Sequence, residues 1–400
     1  MAEADAYRDY MYELVDRAVS SIGPRESCSE EERQLGRLYA KEIEPACERV
    51  EMEEFTCSPK AFLGFFPYLV ILYLAGVVLY YFYPPVAVIL ATIGIAVLFY
   101  EVVRYREFID IFFPKRTGEN VAGFVAPRGE ARKRVIVSAH LDSAYEFKVW
   151  YWLKGFSVPA MAIAFLAPVL LVGASLARTI ADSSGTPENA AFTALGIALI
   201  ALTPIVGIFF FFHTRDVVPG AMDNMAGISV LAGLSRYLHD AKEGGGYYPE
   251  NTEVVLLALS SEEAGLRGAK RYSARHKNEY LRVPTFCIFL DNIADERYLT
   301  VFKREVWCGA KMDPYLIELS REAAAANGKD IITTVMAVGA TDASAFVREE
   351  IPSVSICCYD SSRLMPNYHT RHDTIENVRP ESLAVSLQLV VDMIKRIDAG

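Results

Sequence analysis

The sequence predicts an α/β protein, in which a largely parallel central sheet is sandwiched by helices and two hairpins of transmembrane helices are inserted. Two observations support this fold class. Short apolar or β-rich runs alternate with helical patterns along most of the chain, as expected for a sheet whose strands are connected by helices. Four longer uncharged stretches interrupt this alternation, and they occur in two pairs.

The composition agrees with a polar part and a separate apolar part. The 400 residues are 52% hydrophobic with a mean hydropathy of +0.20, yet 22% of them are charged. A net charge of -10 without a basic stripe argues against nucleic acid as a partner. The seven cysteines form no Cys-x-x-Cys pair, which favours a reducing compartment, and the N-terminus shows no pattern typical of a cleaved signal peptide.

The two pairs of uncharged stretches predict four transmembrane helices. Residues 61–100 contain no charged residue and no histidine, and Tyr83-Pro84-Pro85 divides them into runs of about 22 and about 16 residues. The second run is short for a span, so its helix is expected to reach Tyr81 or Val103. Residues 155–177 and 190–212 form the second pair, of about 23 residues each, enough to cross ~30 Å of hydrocarbon. Buried helices of a soluble core are the alternative, but such helices are shorter and amphipathic.

The pairing of the spans predicts one domain on one side of a lipid bilayer. The hairpins at 61–103 and 155–212 each return the chain to the side that it left, so residues 1–60, 104–154 and 213–400 share that side. By the positive-inside rule this domain is expected to be cytoplasmic. The opposite loops offer only Arg178, whereas basic residues flank the spans on the domain side: Lys60, Arg104, Arg106, Lys115, Arg116, Lys148, Lys154 and Arg215.

The remaining chain shows the patterns of strands and helices. The predicted strands are 135–139, 254–259, 285–290 and 354–357, and the predicted helices are 225–241, 264–276, 314–327 and 381–397. Ligands gather at the carboxyl ends of the strands in such sheets. Because His140, Glu262 and Asp291 each follow a predicted strand, we expect these three residues to converge.

Five short motifs supply groups with catalytic or metal-binding chemistry: His140-x-Asp142, Asp223-Asn224, Glu262-Glu263, Asp291 and His369-Thr370. Each alone has an ordinary structural explanation, such as a helix cap or a favourable charge at a helix N-terminus. Together they provide the imidazoles and carboxylates that hold a pair of zinc ions, with one carboxylate left to act as a base.

These motifs resemble those of the dinuclear zinc aminopeptidase family, which includes bacterial leucine-type aminopeptidases, glutamate carboxypeptidase, glutaminyl cyclase and the endoplasmic-reticulum metallopeptidase. The resemblance covers nearly all of the soluble part in the same order, and none of the four apolar stretches. The matching stretches are 22–25 (IGPR), 137–143 (VSAHLDS), 219–227 (PGAMDNMAG), 261–268 (SEEAGLRG), 289–291 (FLD), 340–346 (ATDASAF) and 368–377 (YHTRHDTIEN).

The resemblance implies a zinc aminopeptidase-like fold, a zinc-dependent exopeptidase activity on peptides, and two zinc ions per chain. His140 and Asp291 would bind one zinc, Glu263 and His369 the other, and Asp223 would bridge both. Glu262 would be the general base, Asp142 would orient His140, and Tyr368 would donate a hydrogen bond to the developing oxyanion. Three carboxylates opposite two divalent cations leave a net positive charge that suits this oxyanion.

The second hairpin lies inside the motif series. Eighty residues separate Asp142 from Asp223, and the tethers to the hairpin, 142–150 and 212–223, are at most about 28 and 40 Å long when extended. We therefore expect the active-site cleft to lie near the membrane surface and to accept a membrane-proximal peptide. The alternative is that the hairpins only anchor an ordinary peptidase.

Two other functions remain open at this point. A catalytically inactive membrane scaffold or receptor of the same fold is disfavoured, because every ligand position and the base are present. A carboxypeptidase or glutaminyl cyclase variant is also possible, although no clear arginine cluster would hold a C-terminal carboxylate. The sequence makes no prediction of side-chain preference or oligomeric state.

Overall fold

The structure, a computed structural model, describes residues 2–185, 190–244, 246–360 and 367–400. The chain divides into two compact units. The sheet unit contains Met1–Pro59, Lys115–Tyr145 and Val217–Gly400, and the helical unit contains Lys60–Pro114 and Glu146–Asp216.

The strands and helices of the described residues are numbered along the chain. The strands are β1 (Arg49–Cys57), β2 (Arg116–Val125), β3 (Lys133–His140), β4 (Tyr145–Phe147), β5 (His213–Val217), β6 (Thr252–Leu259), β7 (Thr285–Asp291), β8 (Leu299–Glu305), β9 (Ala310–Lys311), β10 (Ile332–Met336) and β11 (Ser353–Cys358). The helices are α1 (Ala2–Asp5), α2 (Arg8–Ser21), α3 (Glu30–Ile43), α4 (Ala61–Gly64), α5 (Phe66–Phe82), α6 (Pro84–Leu98), α7 (Lys148–Leu153), α8 (Ser157–Ser183), α9 (Ala190–Ile208), α10 (Ala226–Glu243), α11 (Arg267–Tyr280), α12 (Pro314–Ala326), α13 (Ala343–Arg348) and α14 (Pro380–Ala399).

The sheet unit is built on one large mixed sheet. Its strand order is β1-β2-β6-β3-β7-β11-β8-β10, with β9 paired to β8. The central strands β6, β3, β7 and β11 are parallel, whereas β2 and β8 run antiparallel to their central neighbours. The edge strand β10 pairs parallel with β8, so parallel and antiparallel pairs both occur outside the centre. The predicted α/β class is confirmed.

The two faces of the sheet are covered by different helices. Ile288 and Leu290 of β7 belong to the same buried core as residues of α2, α10 and α14. Phe289, which lies between them in sequence, packs against Phe346 of α13, with ring centroids 4.9 Å apart. Since successive side chains of a strand point to opposite faces, the helices sandwich the sheet as predicted.

The central elements agree with their predicted positions, and one helix start differs. The strands β3, β6, β7 and β11 and the helices α10, α12 and α14 each lie within two residues or so of the expected bounds. The helix predicted from Ala264 begins instead at Arg267. Gly265 and Leu266 have φ values of 89° and 61°, and a right-handed helix cannot include such residues.

The helical unit contains four helical stretches that are long and apolar enough to cross a membrane, judged by length and composition: Ala61–Phe82, Pro84–Val103, Lys148–Ser183 and Ala190–Phe211. The second stretch extends to Val103. This agrees with the prediction that its helix continues past the uncharged run, which is too short for a span. The third continues beyond Arg178, where a polar loop was predicted, because no glycine or proline lies between Arg178 and Gly185. The rest of that predicted loop, residues 186–189, lies outside the described residues.

Candidate metal centre

The candidate site lies at the carboxyl ends of the central strands. His140 is the last residue of β3 and Asp291 is the last residue of β7. Glu262 and Glu263 follow β6 after a turn in which Ser261 has a φ of 61°. Because these strands are parallel neighbours, their ends deliver the three segments to the same edge of the sheet.

Asp223, which precedes α10, lies between the two histidines. His140 Nε2 lies 2.9 Å from Asp223 Oδ1, and His369 Nε2 lies 3.2 Å from Asp223 Oδ2. Asp291 Oδ1 lies 3.9 Å from His140 Nε2, and Glu263 Oε1 lies 3.2 Å from His369 Nε2. The five side chains thus form two groups of three that share Asp223, each group facing a different oxygen of its carboxylate.

The donor atoms of this cluster have the properties of metal ligands. One ligand atom each from His140, Asp223 and Glu263 lie within 4.8 Å of one another. Among the described residues, no hydrogen bond of good geometry reaches His140 Nε2, Asp223 Oδ1 or Glu263 Oε1, although all three atoms are buried. Buried polar atoms are rarely left in this way unless they serve a further purpose. Converging imidazole nitrogens and carboxylate oxygens are the donors that zinc prefers, so the residues fit a zinc site.

The electrostatics of the cluster favour the binding of cations. Burial lowers the pKa of His369, but Glu263 and Asp223 outweigh this effect and raise that pKa to about 10. Burial raises the pKa of Glu262 well above its usual value; His140 opposes this rise, while Glu263 and Asp342 add to it. Carboxylates crowded in a buried site remain ionised only when cations lie close to them.

Comparison with known proteins identifies the family. Residues 209–394 match Peptidase family M28. They form an M28 peptidase domain. The family predicted from the sequence is therefore confirmed, and with it the prediction of an enzyme, a zinc-dependent exopeptidase. No curated protein matches this sequence.

Solved structures of other proteins have the same fold. The zinc aminopeptidase BSAP from Bacillus subtilis is 16% identical, with a TM-score of 0.58, over 98% of this chain and 95% of that one. The aminopeptidase from Aneurinibacillus sp. strain AM-1 is 13% identical, with a TM-score of 0.57, over 97% and 93% of the two chains. A glutaminyl cyclase from an Acidobacteriales bacterium is also 13% identical, with a TM-score of 0.57, over 98% and 94%. At these identities the likeness shows the fold.

Asp142 connects the loops that carry His140 and the two glutamates. Its Oδ1 accepts a hydrogen bond from the backbone N–H of Glu262 at 3.0 Å and lies 3.4 Å from His140 Nδ1. Its Oδ2 accepts from Glu263 N at 3.0 Å and from Ser27 Oγ at 2.6 Å. The structure therefore places Asp142 next to His140, as expected, and gives it a second task that the sequence did not suggest, which is to hold the Glu262-Glu263 turn.

Two further carboxylates at the site were not singled out from the sequence. Asp373 Oδ1 accepts from Met222 N at 2.6 Å and Asp373 Oδ2 accepts from Asp223 N at 3.3 Å, so this residue holds the backbone of Asp223. Glu32 of α3 accepts from Ser261 N at 2.8 Å, directly before Glu262. The sequence signal for Asp373 was its place within the stretch 368–377, whereas Glu32 lies in an acidic helix start and gave no signal.

Tyr368 lies against the same cluster. Its ring stacks on the imidazole of His369, with centroids 3.7 Å apart and planes inclined by 23°. Burial raises the pKa of the Tyr368 hydroxyl well above its usual value, and the surrounding carboxylates, Asp223 first among them, raise it further. Tyr368 therefore keeps its proton at neutral pH and is available as a hydrogen-bond donor.

Proposed function

We propose that this chain is a membrane-anchored dizinc aminopeptidase that removes N-terminal residues from peptides. The observation that carries the proposal is the position of the Asp223 carboxylate, with one oxygen 2.9 Å from His140 and the other 3.2 Å from His369. A carboxylate placed in this way is suited to bridge two metal ions. His140 and Asp291 would complete one zinc site, and Glu263 and His369 would complete the other.

The metal ions and the protein side chains have separate roles in this proposal. When bound, the zinc ions supply Lewis acidity toward the scissile carbonyl and lower the pKa of the attacking water. Glu262 accepts the proton of that water and delivers it to the nitrogen of the leaving amine, as a general base and then a general acid. Tyr368 donates its hydroxyl hydrogen to the carbonyl oxygen as negative charge develops there. Asp142 keeps His140 and the Glu262-Glu263 turn in place for these steps.

The charges around the cluster favour an aminopeptidase over a carboxypeptidase. Glu262, Asp342 and Asp373 place further carboxyl groups beside the proposed ligands, and acidic surroundings suit the α-ammonium group of a peptide better than a C-terminal carboxylate. The guanidinium of Arg25 lies close by, but its donors bond backbone carbonyl oxygens. A glutaminyl cyclase remains the second candidate, because one of that activity has the same fold at a similar TM-score.

The membrane part of the proposal rests on the helical unit. Four stretches there are long and apolar enough to cross a bilayer, and two hairpins leave all segments of the sheet unit on one side. The basic residues at the domain-side ends of the spans favour the cytoplasmic side. The short tethers on both sides of the second hairpin favour peptides presented near the membrane surface as substrates.

The reaction is tested by aminoacyl-anilide hydrolysis with the purified full-length protein. We expect Glu262→Gln to lower kcat by about 100- to 10,000-fold without reducing bound zinc, since the substitution removes proton transfer and leaves the proposed ligands intact. A chelator should abolish the wild-type activity and added zinc should restore it. Glu253→Gln is a matched control, because Glu253 lies near the opposite end of β6 and pairs with Arg134.

Two results would contradict parts of the proposal. Turnover that neither Glu262→Gln nor metal removal changes would exclude this mechanism. Release of ammonia and a cyclised product from glutaminyl peptides, without anilide hydrolysis, would replace the aminopeptidase by a glutaminyl cyclase at the same site.

A further inference from the structure

We infer that Arg25 is a positioning residue, which clamps together the two ends of the 146–216 insertion and thereby sets the separation of His140 and Asp223. The inference rests on the proposed function, in which these two residues are zinc ligands. It concerns how this chain assembles the ligand pair despite the long segment between them.

The guanidinium of Arg25 is fully buried and bonds backbone atoms of three segments. Nε donates to the carbonyl oxygen of Leu141 at 2.8 Å, immediately after His140. Nη1 donates to Pro219 O at 3.0 Å and to Gly23 O at 2.9 Å, and Nη2 donates to Gly220 O at 2.8 Å. One planar side chain therefore joins the segment after His140 to the segment before Asp223.

The backbone of Arg25 extends the clamp to the ends of the insertion. Ser143 Oγ accepts from Arg25 N at 3.0 Å and donates to Val218 O at 2.9 Å. Ser143 N donates to Arg25 O at 2.9 Å, and Val218 N donates to Ala144 O at 2.9 Å. Ala144 and Val218 each lie one residue inside the two ends of the sheet unit that flank the insertion, and they are hydrogen-bonded to each other.

The clamp lies at the two ends of a long inserted segment. The imidazole of His140 and the carboxylate of Asp223 lie 2.9 Å apart, although 82 residues separate them in sequence. Closing a long flexible segment has an entropic cost, so the local structure at its two ends must define their distance.

Arginine is required by the geometry of the acceptors. A lysine ammonium is a point charge and cannot direct donors to carbonyls of three segments in one plane, as the guanidinium does. The backbone at Gly220 also fits closely against Arg25. A Cβ atom at position 220 would lie 2.6 Å from Arg25 Nη2, and the φ of Gly220 is 68°. The backbone at 219–220 therefore approaches the guanidinium as closely as only glycine permits.

The experiment compares Arg25 with a second buried arginine of the sheet unit. Arg134 lies near the start of β3, at the opposite end from His140, and pairs with Glu253 at 2.5 Å. Arg25→Lys and Arg25→Met, and the matched Arg134→Lys and Arg134→Met, are made in the full-length protein. Zinc affinity is measured by competition with a chromophoric chelator, together with the melting temperature in the absence of zinc.

We expect both Arg25 variants to bind zinc about 10- to 100-fold more weakly, as is usual when the residues that orient metal ligands are lost. The Arg134 variants should lower the melting temperature and keep zinc affinity within about threefold of wild type. Ser143→Ala removes one hydroxyl from the same clamp and tests it even if Arg25→Met does not fold; it should weaken zinc binding by threefold or more.

The outcomes separate this inference from the proposed function. Wild-type protein that binds no zinc would contradict both. Zinc binding by the wild type that is unchanged in Arg25→Lys and Ser143→Ala would overturn the inference alone. An equal loss of zinc affinity in the Arg25 and Arg134 variants would also overturn it, because Arg25 would then act only through general stability.

Discussion

At the scale of single residues, the carboxylates of the candidate site divide into two classes by what they contact. Asp223, Glu263 and Asp291 face imidazole nitrogens. Asp142 and Asp373 instead accept hydrogen bonds from backbone N–H groups of the segments that carry those ligands. The second class thus helps to position the segments that carry the first.

Asp142→Asn should weaken zinc binding about 10- to 100-fold and should also destabilise the fold by about 1–3 kcal/mol. The carboxylate of Asp142 accepts one hydrogen bond from the N–H of Glu262 and one from the N–H of Glu263. The amide of asparagine can accept only one of these two bonds, because its NH₂ group would face the second N–H, and both groups are donors. Zinc competition titrations and chemical denaturation would measure the two effects. Ser27→Ala is the control for loss of a single partner of Asp142, and an effect of Asp142→Asn no larger than that of Ser27→Ala would contradict the prediction.

At the scale of elements, the sequence predicted the centre of the fold better than its edges. The strands β3, β6 and β7 are buried on both faces and form apolar runs that are easily recognised. The edge strand β1 alternates glutamates with apolar residues and gave no strand prediction, although it pairs with β2 along its whole length.

The same reasoning explains which parts of the site could be predicted. The proposed ligands occur in short motifs beside strand ends, so residue type and position were both informative. The tasks of Arg25, Glu32 and Asp373 depend on hydrogen bonds to backbone atoms far away in sequence. Backbone N–H and C=O groups are the same in almost every residue type, so the amino-acid sequence could not reveal these partners.

One element of the helical unit, the segment 104–114 after the second apolar stretch, suggests an interfacial anchor. Glu101 Oε2 accepts from Phe108 N at 2.9 Å and from Ile109 N at 3.3 Å, which orders the segment. Ile111 and Phe112 nevertheless have relative exposures of 84% and 77%. Apolar side chains next to a membrane span and near arginine and lysine residues are typical of the membrane interface.

We expect a tryptophan at position 112 to lie in the interface. In protein with its native tryptophans replaced by phenylalanine and reconstituted in vesicles, Phe112→Trp should be quenched by lipids brominated near the carbonyl groups. Ile71→Trp, within α5, is the reference for a deep position and should be quenched by bromine further down the chains. Quenching of Trp at position 112 by aqueous iodide to the extent seen with free N-acetyltryptophanamide would contradict this prediction.

At the scale of the whole molecule, both apolar insertions enter and leave the sheet unit at paired positions. Cys57 at the end of β1 is the register partner of Arg116 at the start of β2, so the first insertion occupies the tip of an antiparallel hairpin. Ala144 and Val218 are hydrogen-bonded, so the second insertion also begins and ends at one place. Each hairpin is therefore inserted where a short loop would serve equally well, and the sheet remains uninterrupted.

This arrangement predicts that the sheet unit folds without the hairpins. Residues 60–114 would be replaced by a short turn and residues 146–216 by a few glycines and serines, since both pairs of ends are already adjacent. We expect a protein that stays in solution without detergent, binds zinc and hydrolyses small aminoacyl-anilides at the wild-type rate within about tenfold. The same replacement carrying Glu262→Gln would show that the activity comes from the proposed site.

Equal rates of the shortened and full-length proteins on soluble substrates would mean that the hairpins only anchor the enzyme, whereas a selective loss on membrane-bound peptides would show that they present the substrate. An aggregated or unfolded product would contradict the prediction and would make the hairpins part of the fold itself.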